Sequence, residues 1–231
     1  MRLAGSIGPT GELALELHRP WPAPAPLRRV LRHALPWPGL SREVNLWRLK
    51  NLPNLWRGLW RVVLFRAISR LTGHPFHYGA LWLTIKHADG SETPLGLASL
   101  RVVTTAGATK IVDFLRALDT IAAGFKYHGF GTGGTAEAAG DTALVTEETT
   151  QYAVDNTRPT GSQTNNGATV YRTVGTYSPD SGGTRAITEH GIFSANSGVT
   201  LLDRSLFSVV NIVAAQDSLQ ATYDFTVNTG G

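Results

Sequence analysis

Hydrophobic and polar residues alternate along most of the second half of the chain. The last such run is the plainest, because its apolar members alternate with polar ones: Leu219, Ala221, Tyr223, Phe225 and Val227. This period of two is typical of a β-strand with one buried face. Because Phe225 falls in the inward-facing series, we expect its replacement by alanine to lower the free energy of unfolding by about 3–5 kcal/mol.

Similar runs predict strands over residues 81–86, 100–105, 125–130, 169–177, 185–193 and 201–213, with a hairpin turn at Asp89-Gly90. A short amphipathic helix is indicated by Ile111, Phe114, Leu115 and Leu118. Residues 149–167 are polar and rich in turn-forming residues, so they are interpreted as a long exposed loop. Short strands with few helices between them predict a mainly β fold, an antiparallel, jelly-roll-like β-sandwich with one short helix.

The first 75 residues have a different pattern. The run at residues 20–26 contains four prolines and is expected to be extended. From residue 54 the spacing becomes helical, with apolar residues three and four apart, which predicts a helix over about 54–71. We therefore divide the chain into a basic Pro/Trp/Arg-rich segment, residues 1–75, and a β-sandwich domain, residues 76–231. On this division, residues 76–231 alone should fold cooperatively.

The predicted helix carries an apolar stripe flanked by Arg57, Arg61, Arg66 and Arg70; the stripe comprises Trp56, Trp60, Val63, Leu64, Ala67 and Leu71. Arginines in such numbers exclude a membrane-spanning helix, since each costs about 2.5–3.5 kcal/mol near the bilayer centre. Three interpretations remain open. The stripe packs on the rest of the protein, it contacts a membrane surface or nucleic acid, or residues 1–75 form an extension outside the fold.

Charge reinforces the division. Residues 1–75 carry 12 Lys+Arg against 3 Asp+Glu, and residues 76–231 carry 9 against 14. The overall net charge of +4 therefore hides a basic first part and an acidic second part. Charged residues make up only 16% of the chain, and cysteine is absent, which excludes disulfides and thiolate metal sites. The first residues lack the apolar core of a signal peptide.

The sequence contains only weak candidates for a cofactor-binding or metal-binding site. Residues 131–136, GTGGTA, approximate a dinucleotide fingerprint, but only a few residues precede the next glycine, so no phosphate-binding helix is expected. His74 and His77 have no acidic partner nearby, and Glu189 and His190 point to opposite faces of a strand. Neither a metal nor a cofactor is therefore expected.

Ser194, His190 and Asp203 would make a catalytic triad on paper, yet no nucleophile elbow frames Ser194. We therefore expect a protein that is not an enzyme and has no catalytic residues.

Two local features receive structural interpretations. Glu189 shares a predicted strand face with Ile187 and Phe193, which suggests a buried carboxylate paired with Arg204 or Arg172. The alternating glycines at 129, 131 and 133 are expected to permit positive φ where a strand turns sharply.

An ordered series of motifs over residues 97–231 resembles a family of tailed-bacteriophage virion proteins. The motifs are LRVVTTAG at 100–107, KYHGFGTG at 126–133, AAGDTALVTE at 138–147, VYRTVGT at 170–176, ITEHGIF at 187–193 and LLDRSLF at 201–207, followed by Asp217, Ser218 and Tyr223. The segment TEHGIF is also similar to a module of tail-fibre proteins. The resemblance covers about 135 residues and brings no catalytic residues with it.

The resemblance implies a non-enzymatic structural component of a phage particle, either a head decoration or a tail or fibre protein. Its implied partners are further copies of itself and other virion proteins, and its implied location is the virion, assembled in the host cytoplasm. The alternative is a receptor- or carbohydrate-binding tail-tip module, in which exposed Tyr152, Tyr171 and Tyr177 stack on a host-surface glycan.

Overall fold

A computed structural model describes residues 4–7, 13–16, 32–74, 76–101, 103–116, 124–180, 183–198 and 200–228 of the 231-residue chain. The chain divides into two compact units, residues 1–32 and residues 33–231. In the first unit, strand β1 (Ala4–Ile7) pairs antiparallel with strand β2 (Leu13–Glu16). The proline run predicted to be extended, residues 20–26, lies outside the described residues.

The second unit contains a five-stranded sheet in the order β4-β3-β10-β7-β6. Its strands are β3 (Phe76–His87), β4 (Glu92–Arg101), β6 (Ser162–Asn165), β7 (Val170–Tyr177) and β10 (Asp217–Asn228). The predicted turn between the first two is confirmed: Gly90 has a φ of 82° and its amide donates to the His87 carbonyl at 3.0 Å. A positive φ at this position of a tight turn is accommodated best by glycine.

A three-stranded sheet in the order β5-β8-β9 forms the second layer. Its strands are β5 (Tyr127–Gly131), β8 (Thr184–Phe193) and β9 (Leu201–Val213). Every strand pair among the described residues is antiparallel. These two layers agree with the predicted mainly β fold and with a β-sandwich.

The core lies between the two sheets, and its side chains come from the apolar members of the alternating runs. The residues with almost no exposure include Leu81, Leu83, Phe130, Tyr177, Ile187, Ile212, Leu219 and Ala221. Phe225 belongs to the same inward series and packs against the buried cluster of Phe125, Ile192, Leu202 and Tyr223, as its inward position predicted, but it is itself only half-buried. Phe225 also lines an open hollow at this end of β10, which leaves part of its ring exposed.

Helix α1 (Arg42–Thr72) is longer than predicted, because it begins twelve residues before residue 54. The Ser41 side chain caps its start by accepting from the Val44 amide at 3.2 Å, and Gly73 ends it with a left-handed φ of 70°. Pro53 lies within the helix. The sequence pattern concealed the first half because polar Arg48 and Asn51 are among its buried residues.

Helix α1 packs against β4 and β9. Trp47 Nε1 donates to the Ser208 carbonyl at 2.9 Å, and Asn51 Nδ2 donates to the Ala98 carbonyl at 2.7 Å. At Gly58 an added Cβ would lie 1.9 Å from the Leu100 carbonyl oxygen, so the helix backbone approaches the sheet closely. Residues 33–74 thus belong to the compact unit of the sheets, which differs from the expected domain boundary at residue 75.

The short helix is confirmed as α2 (Thr105–Leu115), although Leu118 lies outside the described residues. Thr104 caps it by accepting from the Gly107 amide at 3.0 Å. The predicted strand over 100–105 is therefore wrong in its second half, because β4 ends at Arg101 and Thr104 is a helix cap.

The prediction of one long exposed loop over residues 149–167 is also wrong. This segment contains β6, which pairs with β7, and both Tyr152 and Arg158 within it are buried. The Tyr152 hydroxyl accepts from the Phe130 amide at 3.0 Å, so the segment closes over the end of β5. Its polar composition suggested an exposed loop, although the segment covers the end of β5.

Candidate functional site

Glu189 on β8 lies at the centre of a buried ion cluster. Its carboxylate accepts hydrogen bonds from the backbone amides of Gly133, Val145 and Thr146 at 3.1, 3.2 and 2.8 Å. The segment that resembles a dinucleotide fingerprint therefore directs one of its amides toward a carboxylate of the protein itself. These three amides supply hydrogen-bond partners to a carboxylate that is fully buried.

Arg204 on the neighbouring strand β9 completes this cluster. Its Nε donates to Glu189 Oε2 at 2.8 Å, and its Nη1 donates to Asp141 Oδ2 at 3.0 Å. The predicted buried pair of Glu189 and Arg204 is confirmed, while Arg172 pairs instead with Asp224 at 2.6 Å. The cluster ties residues 133–146 to the second sheet.

Of the glycines at 129, 131 and 133, the last two make room for this cluster by their size, whereas Gly129 makes room for the Phe193 ring. None of them has a positive φ, so the prediction of a sharp left-handed turn is wrong. An added Cβ would lie 2.7 Å from Glu189 Oε1 at Gly131 and 2.5 Å from the same atom at Gly133. Glycine is needed there because the covering segment runs against the carboxylate.

A second ion pair, between Arg158 and Glu147, holds the segment that follows residues 133–146. Arg158 donates to both carboxylate oxygens of Glu147, from Nε at 2.6 Å and from Nη2 at 2.7 Å. The Arg158 guanidinium also lies 3.4 Å from the centre of the Phe193 ring. A planar guanidinium suits this combination of bidentate pairing and stacking.

Asp203 on β9 is wholly buried between the sheets. Burial raises its pKa to about 6, although nearby Arg101 and the hydroxyls of Tyr223 and Ser205 favour the charged form. The Tyr223 hydroxyl donates to Asp203 Oδ2 at 3.1 Å, and Ser205 Oγ donates to Oδ1 at 3.2 Å. Burial also raises the pKa of Tyr223 well above its usual value.

His128 and His190 meet in the core, which the sequence did not indicate. His128 Nδ1 lies 3.0 Å from His190 Nε2, and His128 Nε2 lies 3.0 Å from Thr173 Oγ1. Burial lowers the pKa of His128 to about 3 and that of His190 well below its usual value. The triad drawn on paper does not form, since His190 and Asp203 have these other partners and Ser194 is bonded to neither.

Two of the three tyrosines proposed to bind sugar rings are buried. Tyr152 is 2% exposed and Tyr177 is fully covered, so neither can stack on a ligand. Tyr171 is half-buried, and its hydroxyl donates to the Phe125 carbonyl at 2.9 Å. The expectation of an exposed tyrosine cluster is therefore wrong.

Among the described residues, no group of three or more His, Asp or Glu side chains is arranged to hold a metal ion. His74 and His77 are exposed on either side of the junction between α1 and β3. None of the described helices is long and apolar enough to cross a membrane.

The inner face of the five-stranded sheet is open at one end, which we call the open end of the sandwich. An open hollow of about 650 Å³ lies there, lined by Gln163, Thr164, Ala168, Thr169, Val170, Tyr171, Phe225 and Val227. Phe225 and Tyr171 are cross-strand partners on this face. The lining combines apolar side chains with polar groups from edge strand β6 and from Thr169.

A smaller hollow of about 190 Å³ adjoins the first and shares Gln163, Tyr171 and Phe225 with it. Its other side is formed by Ile111 of α2 together with Phe125 and Leu202. On the outer side of α2, Val112, Phe114 and Leu115 are exposed by 50%, 54% and 76%. The sequence pattern did not predict these hollows, because β6, which lines both of them, lay within a segment interpreted as a loop.

A second apolar surface lies on the later half of α1, and we call it the outer stripe. It comprises Trp56, Trp60, Val63, Leu64, Ile68 and Leu71, all of them exposed. The interpretation that the Trp stripe packs on the rest of the protein is therefore wrong. The side that packs on the sheets carries Leu55, Gly58 and Ser69 instead.

A scan against protein-family models finds no match to this chain, and a search of curated proteins also finds none.

Proposed function

We propose that the protein is a non-enzymatic structural component of a bacteriophage particle and acts through contacts between its own subunits. The observation that carries this proposal is the open end of the sandwich. A monomeric sandwich buries the inner faces of both sheets, yet here the inward series of β10 is only half-buried at Phe225 and Val227, which line an open hollow. Apolar surface of this kind indicates a site of protein association.

Edge strand β6 gives the open end a second means of association. It pairs with β7 on one side and is the last strand in its sheet. Gln163 and Thr164 of β6 line the hollow, so main-chain hydrogen-bonding groups and apolar side chains lie together. An extended segment of a second copy could pair with such an edge and bury an apolar side chain against Phe225.

The buried ionic groups support a structural role in a different way. Glu189, Glu147 and Asp203 each have partners within the protein, and the first two hold covering loops against the sheets. The resemblance of residues 97–231 to phage virion proteins supplies the biological setting, a position in the head, tail or fibre. The glycan-binding alternative loses its basis, because Tyr152 and Tyr177 lie in the interior.

Sedimentation velocity of the full chain over a range of concentrations tests this proposal. We expect a concentration-dependent oligomer that is weakened by Phe225→Ser and by Val227→Lys, both at the open end. Val154→Ser is the matched control, because Val154 is 70% exposed and lies away from the hollow. A circular dichroism melt of each variant tests whether the fold is retained, and Val227→Lys serves as the second variant if Phe225→Ser unfolds.

A chain that remains monomeric at the highest concentrations would contradict self-assembly. Turnover of a small substrate by the purified protein would contradict the non-enzymatic role. Oligomers that form equally well in the wild type and in both open-end variants would show that the subunits meet elsewhere.

A further inference from the structure

The outer stripe is an exposed apolar surface on helix α1, and the opposite side of this helix packs against the sheets. Trp56 is 68% exposed, Trp60 62% and Leu71 87%, whereas Leu55 and Gly58 are buried against the sheets. At 100° per residue, the stripe faces away from the side that packs on the sheets. The helix therefore has two apolar sides, and the fold uses only one of them.

Exposed arginines border the outer stripe on both sides. Arg61 lies along one border and Arg70 along the other, while Arg57 lies between Leu64 and Ile68 near the first border; all three arginine side chains are exposed. Helix α1 contains no acidic residue after Glu43. The surface thus combines apolar side chains, two tryptophans and positive charge, with no negative charge of its own.

This charge pattern argues against a second copy as the occupant. Two outer stripes placed together would bring the arginines of both helices to the same borders, with no carboxylate from either helix between them. Double-stranded nucleic acid also fits poorly, because its outer surface offers phosphates but nothing to cover Trp60, Leu64 and Leu71.

We propose that the outer stripe of α1 binds the surface of an anionic lipid bilayer, with the helix lying in the plane of the membrane. The apolar side chains would enter the boundary between headgroups and acyl chains, where tryptophan is favoured. The arginines extend toward lipid phosphates while their apolar stems remain against the stripe. The sandwich, on the opposite side of the helix, stays in water.

The outer stripe lies on helix α1, whereas the open end of the sandwich lies on strands β6, β7 and β10, so the two surfaces are separate. For a phage component it would mean contact with the host membrane in addition to contact between subunits. A membrane surface supplies both kinds of partner that the stripe needs: an apolar layer for its side chains and negative charge for its arginines.

Vesicle co-sedimentation of the full chain tests the proposal, with vesicles of phosphatidylcholine alone and of phosphatidylcholine and phosphatidylglycerol in equal parts. We expect binding to the anionic vesicles, which weakens as the Debye length falls from about 10 Å at 0.1 M salt to about 3 Å at 1 M. Replacing all three arginines, Arg57→Gln, Arg61→Gln and Arg70→Gln, should weaken binding about a hundredfold, at roughly fivefold for each.

A stripe variant, Trp56→Ser with Trp60→Ser, separates apolar insertion from charge attraction. It should lose binding to the anionic vesicles and the quenching of tryptophan fluorescence by brominated lipid. Trp37→Ser and Arg116→Gln are the matched controls, since both side chains are exposed and neither lies on α1, and both should bind as the wild type does. Because all the substituted side chains are exposed, we expect unchanged melting temperatures.

Three results would overturn the proposal. The first is no binding to either kind of vesicle, and the second is equal binding by the wild type and the stripe variant. The third is a dimer in sedimentation velocity that disappears in the stripe variant, which would show that a second copy covers the stripe.

Discussion

Glu189 shows how one residue organises a large part of this fold. Its position among apolar neighbours in an alternating run suggested burial with an arginine, and the structure supplies Arg204. What the sequence could not indicate was the covering segment, because Gly133, Val145 and Thr146 contact the carboxylate through backbone amides. Every residue has a backbone, so the side-chain pattern does not show which amides bind a carboxylate. The nearby glycines are visible in the sequence, and their lack of a side chain leaves space for the carboxylate.

Breaking the buried pair provides a residue-scale prediction. Arg204→Met should lower the free energy of unfolding by about 3–5 kcal/mol, because Glu189 would remain buried without its charged partner. Denaturant titration measures this change. The control is Arg172→Met, whose pair with Asp224 is partly exposed and should contribute only about 0–1 kcal/mol. Equal losses in the two variants would show that burial does not determine the difference.

Asp203 provides a prediction about pH. Its folded pKa of about 6 lies above the ordinary value of 3.8, so the folded state binds the proton more tightly than the unfolded state. Its contribution to stability is therefore fully present below about pH 4 and is lost as the pH rises through about 6. The opposite holds for His128, whose lowered pKa makes the folded state less stable as the pH falls from about 6.5 toward 3.

Comparison of the wild type with Asp203→Asn isolates the carboxyl group, because the histidines contribute equally to both proteins. The stability of the wild type relative to this variant should increase by up to about 3 kcal/mol between about pH 7 and pH 4. Denaturant titrations at several pH values measure the difference. A difference that is independent of pH would show that Asp203 titrates as it does in the unfolded chain.

At the scale of elements, strands were easier to predict than the helix and the covering loops. The strand over 201–213 has the predicted bounds, because its alternation is long and its inward residues are apolar. Helix α1 was predicted only in its second half, since the first half directs Arg48 and Asn51 toward the sheet. The short strand β6 is polar, with Ser162, Gln163 and Thr164 exposed, so only its pairing with β7 reveals it.

The packing of α1 changes the expectation for truncated proteins. A chain that begins at residue 33 retains Trp47, Asn51 and Leu55 against β4 and β9, and should unfold cooperatively. A chain that begins at residue 76 loses this cover and exposes part of the core, so it should aggregate or melt at a lower temperature. Size-exclusion chromatography and thermal melts compare the two. A cooperative transition at the same temperature in both would restore residues 76–231 as a separate domain.

At the scale of the whole molecule, the open end of the sandwich and the outer stripe show which features could be predicted from the sequence and which could not. Alternation and turn residues were sufficient for a mainly β fold of antiparallel strands. They could not show which inward residues are only partly covered, because Phe225 and Tyr223 occupy equivalent positions in the pattern of β10. Coverage depends on where the second sheet ends, which is a property of tertiary structure.

The most direct test of the proposed subunit contact is hydrogen–deuterium exchange of the full chain at low and high protein concentration. We predict that amides in β6 and in the part of β10 around Phe225 exchange more slowly at the higher concentration, because a second copy covers the open end. Amides in β8, in the middle of its sheet, should exchange equally slowly at both concentrations. Exchange at β6 and around Phe225 that does not depend on concentration would contradict a subunit contact at the open end of the sandwich.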